Sequence, residues 1–270
     1  MQRLKKFGYL NIISSAVLII ITLLAIFAPL ITKSPYAMNP INRLAAPSAS
    51  HIFGTDNMGR DLFSRVIYAG RISLIIGLSV SVISTLLGVL IGLLAGYFPK
   101  LDAIVMRIID GIMAFPALLL ALGLVAALGG SIFNIIIAIT IAYTPVMTRI
   151  VRSSTLQVKK TDYVLAARSM GASTPSILAR DILPNIVSPI FVQLTFTFAE
   201  AILLEAALSF LGVGINPPTP TWGNILGDSR LYIEMSPWFS IFPGLAIVLT
   251  VLALNVLGDG LREFLDPNNA

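Results

Sequence analysis

Six stretches of this chain are each long enough and apolar enough to cross a lipid bilayer: residues 12–31, 72–98, 112–128, 132–150, 186–208 and 239–257. A helix needs about 20 mostly apolar residues to cross a hydrocarbon core roughly 30 Å thick. The charge content agrees, at 11% of residues against about 25% in soluble domains, and the mean hydropathy is +0.90. The expected fold is therefore an all-α polytopic membrane protein with six transmembrane helices. The third stretch is short and is expected to extend toward the charged residues before it.

Lysine and arginine orient the spans, because they accumulate in cytoplasmic connections. With the N-terminus inside, twelve of the 18 are cytoplasmic: Arg3, Lys5, Lys6, Lys100, Arg107, Arg149, Arg152, Lys159, Lys160, Arg168, Arg180 and Arg262. Six lie outside: Lys33, Arg43, Arg60, Arg65, Arg71 and Arg230. The bias predicts that both termini and the loop 152–184 are cytoplasmic. The net charge of +5 thus reports topology, and no nucleic-acid partner is expected, since no basic patch is interleaved with aromatic residues. Without cysteine there is neither a disulfide nor a thiolate metal site. The N-terminal apolar run follows basic residues as a signal peptide would, but it lacks a convincing small-residue cleavage site and ends at a proline, so it reads as a retained first helix.

Between the fourth and fifth spans lies RSSTLQVKKTDYVLAARSMGASTPSILARDILP, residues 152–184, too polar for hydrocarbon. Thr161 or Asp162 can cap a first helix, Tyr163 to Met170, and Gly171 supplies the left-handed residue that ends it. Thr174 with Pro175 starts a second helix, which Pro184 is expected to stop. Val164, Ala167 and Met170 recur at every third position and share a face, while the small pair Ala166 and Ala167 lets another surface come close. This is a docking knob by shape. The runs DYVLAARSMGAS and ILARDILPN resemble the Glu-Ala-Ala loop of ABC importer permeases, with Ala166, Ala167, Gly171, Ile182, Leu183 and Pro184 matching. Leu165 stands where the name-giving glutamate would be, and Asp181 where histidine is common. With Asp162 as N-cap, position 165 is also the third helical residue, so the reciprocal capping carboxylate is missing. In that family the first helix is a coupling helix, seated in a groove of a cytosolic ATPase. The resemblance implies this role for Asp162, Tyr163, Val164, Leu165, Ala166, Ala167, Arg168, Gly171 and Pro184.

The largest outer connection, residues 32–71, is broken by Pro35, Pro40 and Pro47. Leu62, Val66, Ile67 and Ala69 can line an interfacial helix that delivers the chain into the second span, with Arg65 and Arg71 reaching for headgroups. The block HIFGTDNMGRDLFSRVIYAGRISL, residues 51–74, is similar to the GTDxxGRDxxSR signature that precedes the transport domain in C-type permeases of dipeptide, oligopeptide and nickel importers. Gly54, Thr55, Asp56, Gly59, Arg60, Asp61, Ser64 and Arg65 match. The chain accordingly divides into an N-terminal helix with its external segment, 1–71, and a permease transport domain, 72–270. His51, the single histidine, has no second imidazole or thiolate to complete a metal site, so it reads as a surface residue and no metal is expected.

Small residues punctuate the second span at Gly77, Ser81, Thr85, Gly88, Gly92 and Gly96, the spacing that lets helices pack closely in lipid. Asp102, Arg107 and Asp110 follow it and are expected to form ion pairs within the chain, while Pro116 and Pro145 are expected to kink spans three and four. Glu200 and Glu205 lie in the fifth span, where an ionisable group signals function. Five residues apart, they point about 140° away from each other, so one can face a pathway and the other a neighbouring helix or the outer interface. Residues 212–238 carry breakers, with Trp222 and Trp238 as interface anchors. EAALSFLGVG, the PPTPTWG segment and NVLGDGLREFLDP (255–267) extend the resemblance to the same permeases.

The resemblance covers about residues 51–267 and implies the type I ABC importer permease fold. It further implies a homologous B-type permease as heterodimeric partner, two cytosolic ATPases and an extracytoplasmic solute-binding protein, all at a prokaryotic plasma membrane. The chain has no GxxxxGK[ST] phosphate loop, so ATP and Mg belong to partner subunits and no cofactor or catalytic residue is expected here. Peptides are the favoured cargo, with nickel or a metal-chelator complex as the alternative. A secondary transporter is the distant one, since two isolated glutamates make no proton relay.

Overall fold

The computed structural model describes residues 8–265, and among them there is no β-strand, only an isolated bridge between Thr55 and Asp61. Helix α1, Tyr9–Ile26, is followed by the short α2, Ala28–Ile31, and an irregular segment. Next come α3, Leu62–Tyr97; α4, Pro99–Met113; α5, Ala117–Leu128; and α6, Ile132–Val158. The polar loop supplies α7, Asp162–Ser169, and α8, Thr174–Ser176, from which a π-turn, Ile177–Ile182, and a 3-10 turn, Leu183–Ile186, lead into α9, Val187–Phe210. The described chain closes with α10, Trp222–Ser229, and α11, Trp238–Leu265. The basic residues before Gly8 and the last two residues of the NVLGDGLREFLDP motif lie outside the described residues.

Five expected spans are long apolar helices: α1, α3, α6, the continuous path Thr174–Phe210, and α11. The third expected span differs. Helix α5 has 12 residues, about 18 Å of rise, and with α4 it makes a span broken by an 86° bend, which brings the candidate crossings to six when the pair is counted as one. Pro116, with ψ near 132°, is the residue where the chain turns. Pro145 lies inside α6.

Helix α3 starts ten residues before the expected second span, so the boundary drawn between 71 and 72 falls within it. Its first turns are not interfacial: Leu62, Val66 and Ala69 are buried, and so is Arg65. A guanidinium neutralised by carboxylates, as this one is, needs no headgroup. Further along, α3 meets α6 through its glycines. A Cβ at Gly92 would sit 2.7 Å from the Thr148 carbonyl oxygen and the Val151 Cβ, and one at Gly96 would sit 2.7 Å from Thr155 Cβ. Gly77 does the same for Phe198 and Ile202 of α9. Close backbone approach replaces the hydrophobic drive that lipid does not supply.

Pro184 does not stop its helix. Leu183 before it keeps helical angles, φ −55° and ψ −45°, and the wider π-turn followed by the tighter 3-10 turn accommodates the ring and its missing amide donor. The Asn185 side chain donates to the Asp181 carbonyl at 2.7 Å, satisfying one acceptor beside the break.

Three buried clusters divide the length of the bundle. Leu62, Val66, Ile202, Trp222 and Phe239 form one at the start of α3. Ile76, Val80, Ile135, Ile139 and Leu208 form a middle one. Met147, Val151, Val164, Ile177, Ile182 and Ile186 form the third at the α7 end.

Candidate functional site

Helix α6 has 27 residues, about 40 Å of rise against a hydrocarbon core of roughly 30 Å, and α7 follows it. The N-cap of α7 is Thr161, not Asp162, and its hydroxyl turns back to the Val158 carbonyl at 2.7 Å instead of capping. Leu165 is therefore the fourth helical residue, and a carboxylate there could not complete a capping box. At the other end the fit to expectation is close. Gly171 adopts φ +82°, and the bonds Ala172 N to Ala167 O and Gly171 N to Arg168 O, each 3.0 Å, make the paired closure of a Schellman motif.

One residue anchors this helix. Val164 is 3% exposed and belongs to the third cluster, between α6 and the π-turn. Around it Tyr163 is 47% exposed, Leu165 48% and Met170 81%. Asp162, Ala166 and Arg168 are also exposed and Ala167 is half-buried, so the face expected for Val164, Ala167 and Met170 begins in the core and ends in solvent. Two large apolar side chains of this eight-residue helix, with Met170 just past its end, thus stand in the open, as they do on surfaces that bind other proteins.

Beside α7 lies a cleft of about 670 Å³ walled by Tyr97, Phe98, Leu165 and Ile177. The Lys159 ammonium donates to the Gly96 and Tyr97 carbonyls at 2.7 and 3.3 Å, closing the end of α3. The expected ion pairs are present: Arg152 grips both Asp102 oxygens, one at 2.6 Å, and Arg149 meets Asp110. They tie α4 to α6. Arg107 takes no part in an ion pair among the described residues.

The opposite end is built around Asp56, whose carboxylate is fully buried. It accepts from Met58 N at 2.8 Å, Arg60 N at 2.9 Å, Arg60 Nε at 2.6 Å and Arg65 Nη1 at 2.5 Å. Asp228 of α10 completes the charge balance, 3.8 and 3.7 Å from the two guanidinium groups. Burial pushes Asp228 above the usual carboxylate range, although Arg65 and Arg60 draw it back. Gly54 and Gly59 take φ +78° and +70° to turn the loop. Thr55 Oγ1 accepts from Ala45 N at 2.8 Å and donates to the Asn42 carbonyl. Asp61 caps α3 through Ser64 N at 2.9 Å and Ser64 Oγ at 2.7 Å. His51, expected at the surface, bonds Asp61 Oδ1 through Nδ1 at 2.9 Å, because the loop folds back over the helix start. Burial raises the Asp61 pKa, but the bonds from His51 and Ser64 outweigh it and hold it below its usual value.

The two membrane glutamates part as their spacing requires. Glu205 is buried, accepting from Ser73 of α3 at 3.0 Å and Ser209 at 2.7 Å. Glu200 is exposed on α9, with Tyr143 of α6 donating to its backbone carbonyl at 3.4 Å. Trp222 is not an interface anchor: it is core, its Nε1 donating to the Val66 carbonyl at 3.0 Å. Ser73, Asp228 and Trp222 thus belong to the architecture of this end, yet each partner lies over a hundred residues away and only tertiary folding reveals it.

Residues 88–269 match the family of binding-protein-dependent transport system inner membrane components. Residues 9–47 match the N-terminal transmembrane domain of oligopeptide transport permease C. The dipeptide transport system permease protein DppC of Alkalihalophilus pseudofirmus is 46% identical over 98% of this chain and 88% of its own length. The di/tripeptide transport system permease protein DppC of Pseudomonas aeruginosa is 44% identical, covering 93% and 85%. The glutathione transport system permease protein GsiD of Pectobacterium atrosepticum is 46% identical, covering 82% and 74%.

Proposed function

This chain belongs to the family of inner-membrane components of binding-protein-dependent transport systems, and from that membership we propose that it is the C-type permease of an ATP-driven importer of short peptides. Permeases of this kind work with a second permease, an ATPase and a solute-binding protein. Here the second permease is a homologous B-type subunit, the pathway runs between the two, and two cytosolic ATPases carry ATP and Mg. This chain needs no cofactor of its own. The α7 end and both termini face the cytoplasm, as the lysine and arginine bias supports, and the Asp56 end faces the binding protein.

The observation that carries the coupling role is the anchoring of α7 by Val164 alone. An ATPase that moves α7 pushes Val164 against Met147 and Val151 of α6 and against Ile177, Ile182 and Ile186 ahead of α9. Cores are close-packed and stiff, so such a push is transmitted and not absorbed. Asp162, Tyr163, Leu165, Ala166 and Arg168 form the contact face, with Gly171 and Pro184 fixing the path onward. Of the two glutamates we place Glu200 in the pathway, because it is open, and give Glu205 the task of holding α9 to α3.

The test is reconstitution of the complete importer in vesicles with its binding protein. ATP-dependent uptake of a labelled dipeptide that survives collapse of the proton gradient supports the reading. Uptake of nickel or a nickel chelate with no peptide uptake replaces the cargo, and transport that follows the gradient and ignores ATP replaces the class.

A further inference from the structure

The cleft beside α7 carries one sign of charge. Lys159, Lys160 and Arg168 line it, and no acidic residue does. Lys159 is held by carbonyl oxygens, but Lys160 and Arg168 are exposed, and neither is in an ion pair among the described residues. The nearby carboxylate Asp102 is already gripped by Arg152. Tyr97, Phe98 and Leu165 give the rest of the wall an apolar character. Leu165 belongs both to this wall and to the open face of α7, so whatever covers that face also covers the mouth of the cleft.

We propose that the cleft receives an acidic side chain, flanked by an apolar one, from the ATPase that seats on α7. The proposal rests on the coupling reading above and adds the chemistry of a second contact. Like charges gathered without counter-charge favour a carboxylate from the partner, and once the mouth is covered, the loss of water strengthens that attraction. Anionic lipid headgroups offer the same charge. The position of Leu165, shared between the cleft wall and the open face of α7, favours the ATPase, because the partner that covers that face also reaches the mouth of the cleft.

A zero-length carbodiimide joins an amine only to a carboxylate in contact with it, so treatment of the complete importer in lipid nanodiscs reads the contact directly. Mass spectrometry is expected to find an amide bond from Lys160 to an acidic residue of the ATPase. Lys160→Arg loses that bond, having no amine to couple, yet keeps at least half of the substrate-stimulated ATPase rate, whereas Lys160→Glu combined with Arg168→Glu lowers the rate at least ten-fold in complexes that remain assembled. If Ser169→Cys crosslinks to the ATPase and Lys160 gives no product, this inference is wrong and the coupling reading stands. If neither crosslinks, both fall. A wild-type rate that needs anionic lipid, alongside a charge-reversed variant indifferent to it, assigns the cleft to headgroups and overturns the proposal.

Discussion

Two buried arginines at one end of the molecule face the buried Asp56 and the partly exposed Asp228, and the turns at Gly54 and Gly59 are closed by backbone hydrogen bonds. At the other end a short helix hangs on Val164, shows Tyr163, Leu165 and Met170 to solvent, and stands beside cations with no carboxylate of their own. Both ends are dense in motif residues; those at the Asp56 end bond mainly to one another, with Arg65 Nε and Asn57 Oδ1 left over, while those at the α7 end stand mostly in the open. A motif is therefore no measure of where a partner binds.

The sharpest way to break that comparison is Asp56→Ala. It leaves two guanidinium groups buried without a full counter-charge, a loss of about 3–5 kcal/mol, and the variant is expected to be recovered in far lower yield and to unfold early in a thermal scan. A normal scan would mean that the Asp56 end is not self-contained. Glu205→Ala comes next, since it strands the Ser73 and Ser209 hydroxyls in apolar surroundings, at about 1–3 kcal/mol. The same scan reads it.

Asp61→Ala removes a helix cap, at about 1 kcal/mol, and it alters the pH profile. Because the folded chain holds the Asp61 pKa down, its contribution is complete above the unfolded carboxylate value of about 3.9 and is lost as pH falls through the lower folded value. Thermal scans between pH 7 and pH 3 are expected to show a smaller acid-side loss in the variant than in the wild type. The smallest stability effect belongs to the other end. Leu165→Ala is expected to change stability by under about 0.5 kcal/mol while lowering substrate-stimulated ATPase activity at least ten-fold; a variant that unfolded early would show that Leu165 packs within the chain after all.

Hydropathy made most of the membrane architecture legible, since a run of about 20 apolar residues has few other fates. It misplaced the start of α3 because Arg65 depresses the local hydropathy, and the carboxylate that neutralises it is nine residues back in a loop. Trp222 was equally opaque. Its indole suits an interface or a core with a waiting acceptor, and the acceptor, the Val66 carbonyl, is 156 residues distant. The docking helix could be read almost residue by residue, because caps and a left-handed glycine are local chemistry. The one-signed cleft could not, since Phe98 and Lys160 meet only when α3 and α6 pack side by side.

The π-turn from Ile177 to Ile182 has a mechanical consequence. Such a turn holds about one residue more than the α-helical turn it replaces, and one residue corresponds to about 100° of helix rotation. The joint between α7 and α9 thus holds slack in one turn, which the tighter 3-10 turn Leu183–Ile186 takes up in part. Winding that residue into α-helical register would turn α9 about its own axis with little change of length, carrying Glu200 to a different bearing while Pro184 keeps the joint from straightening.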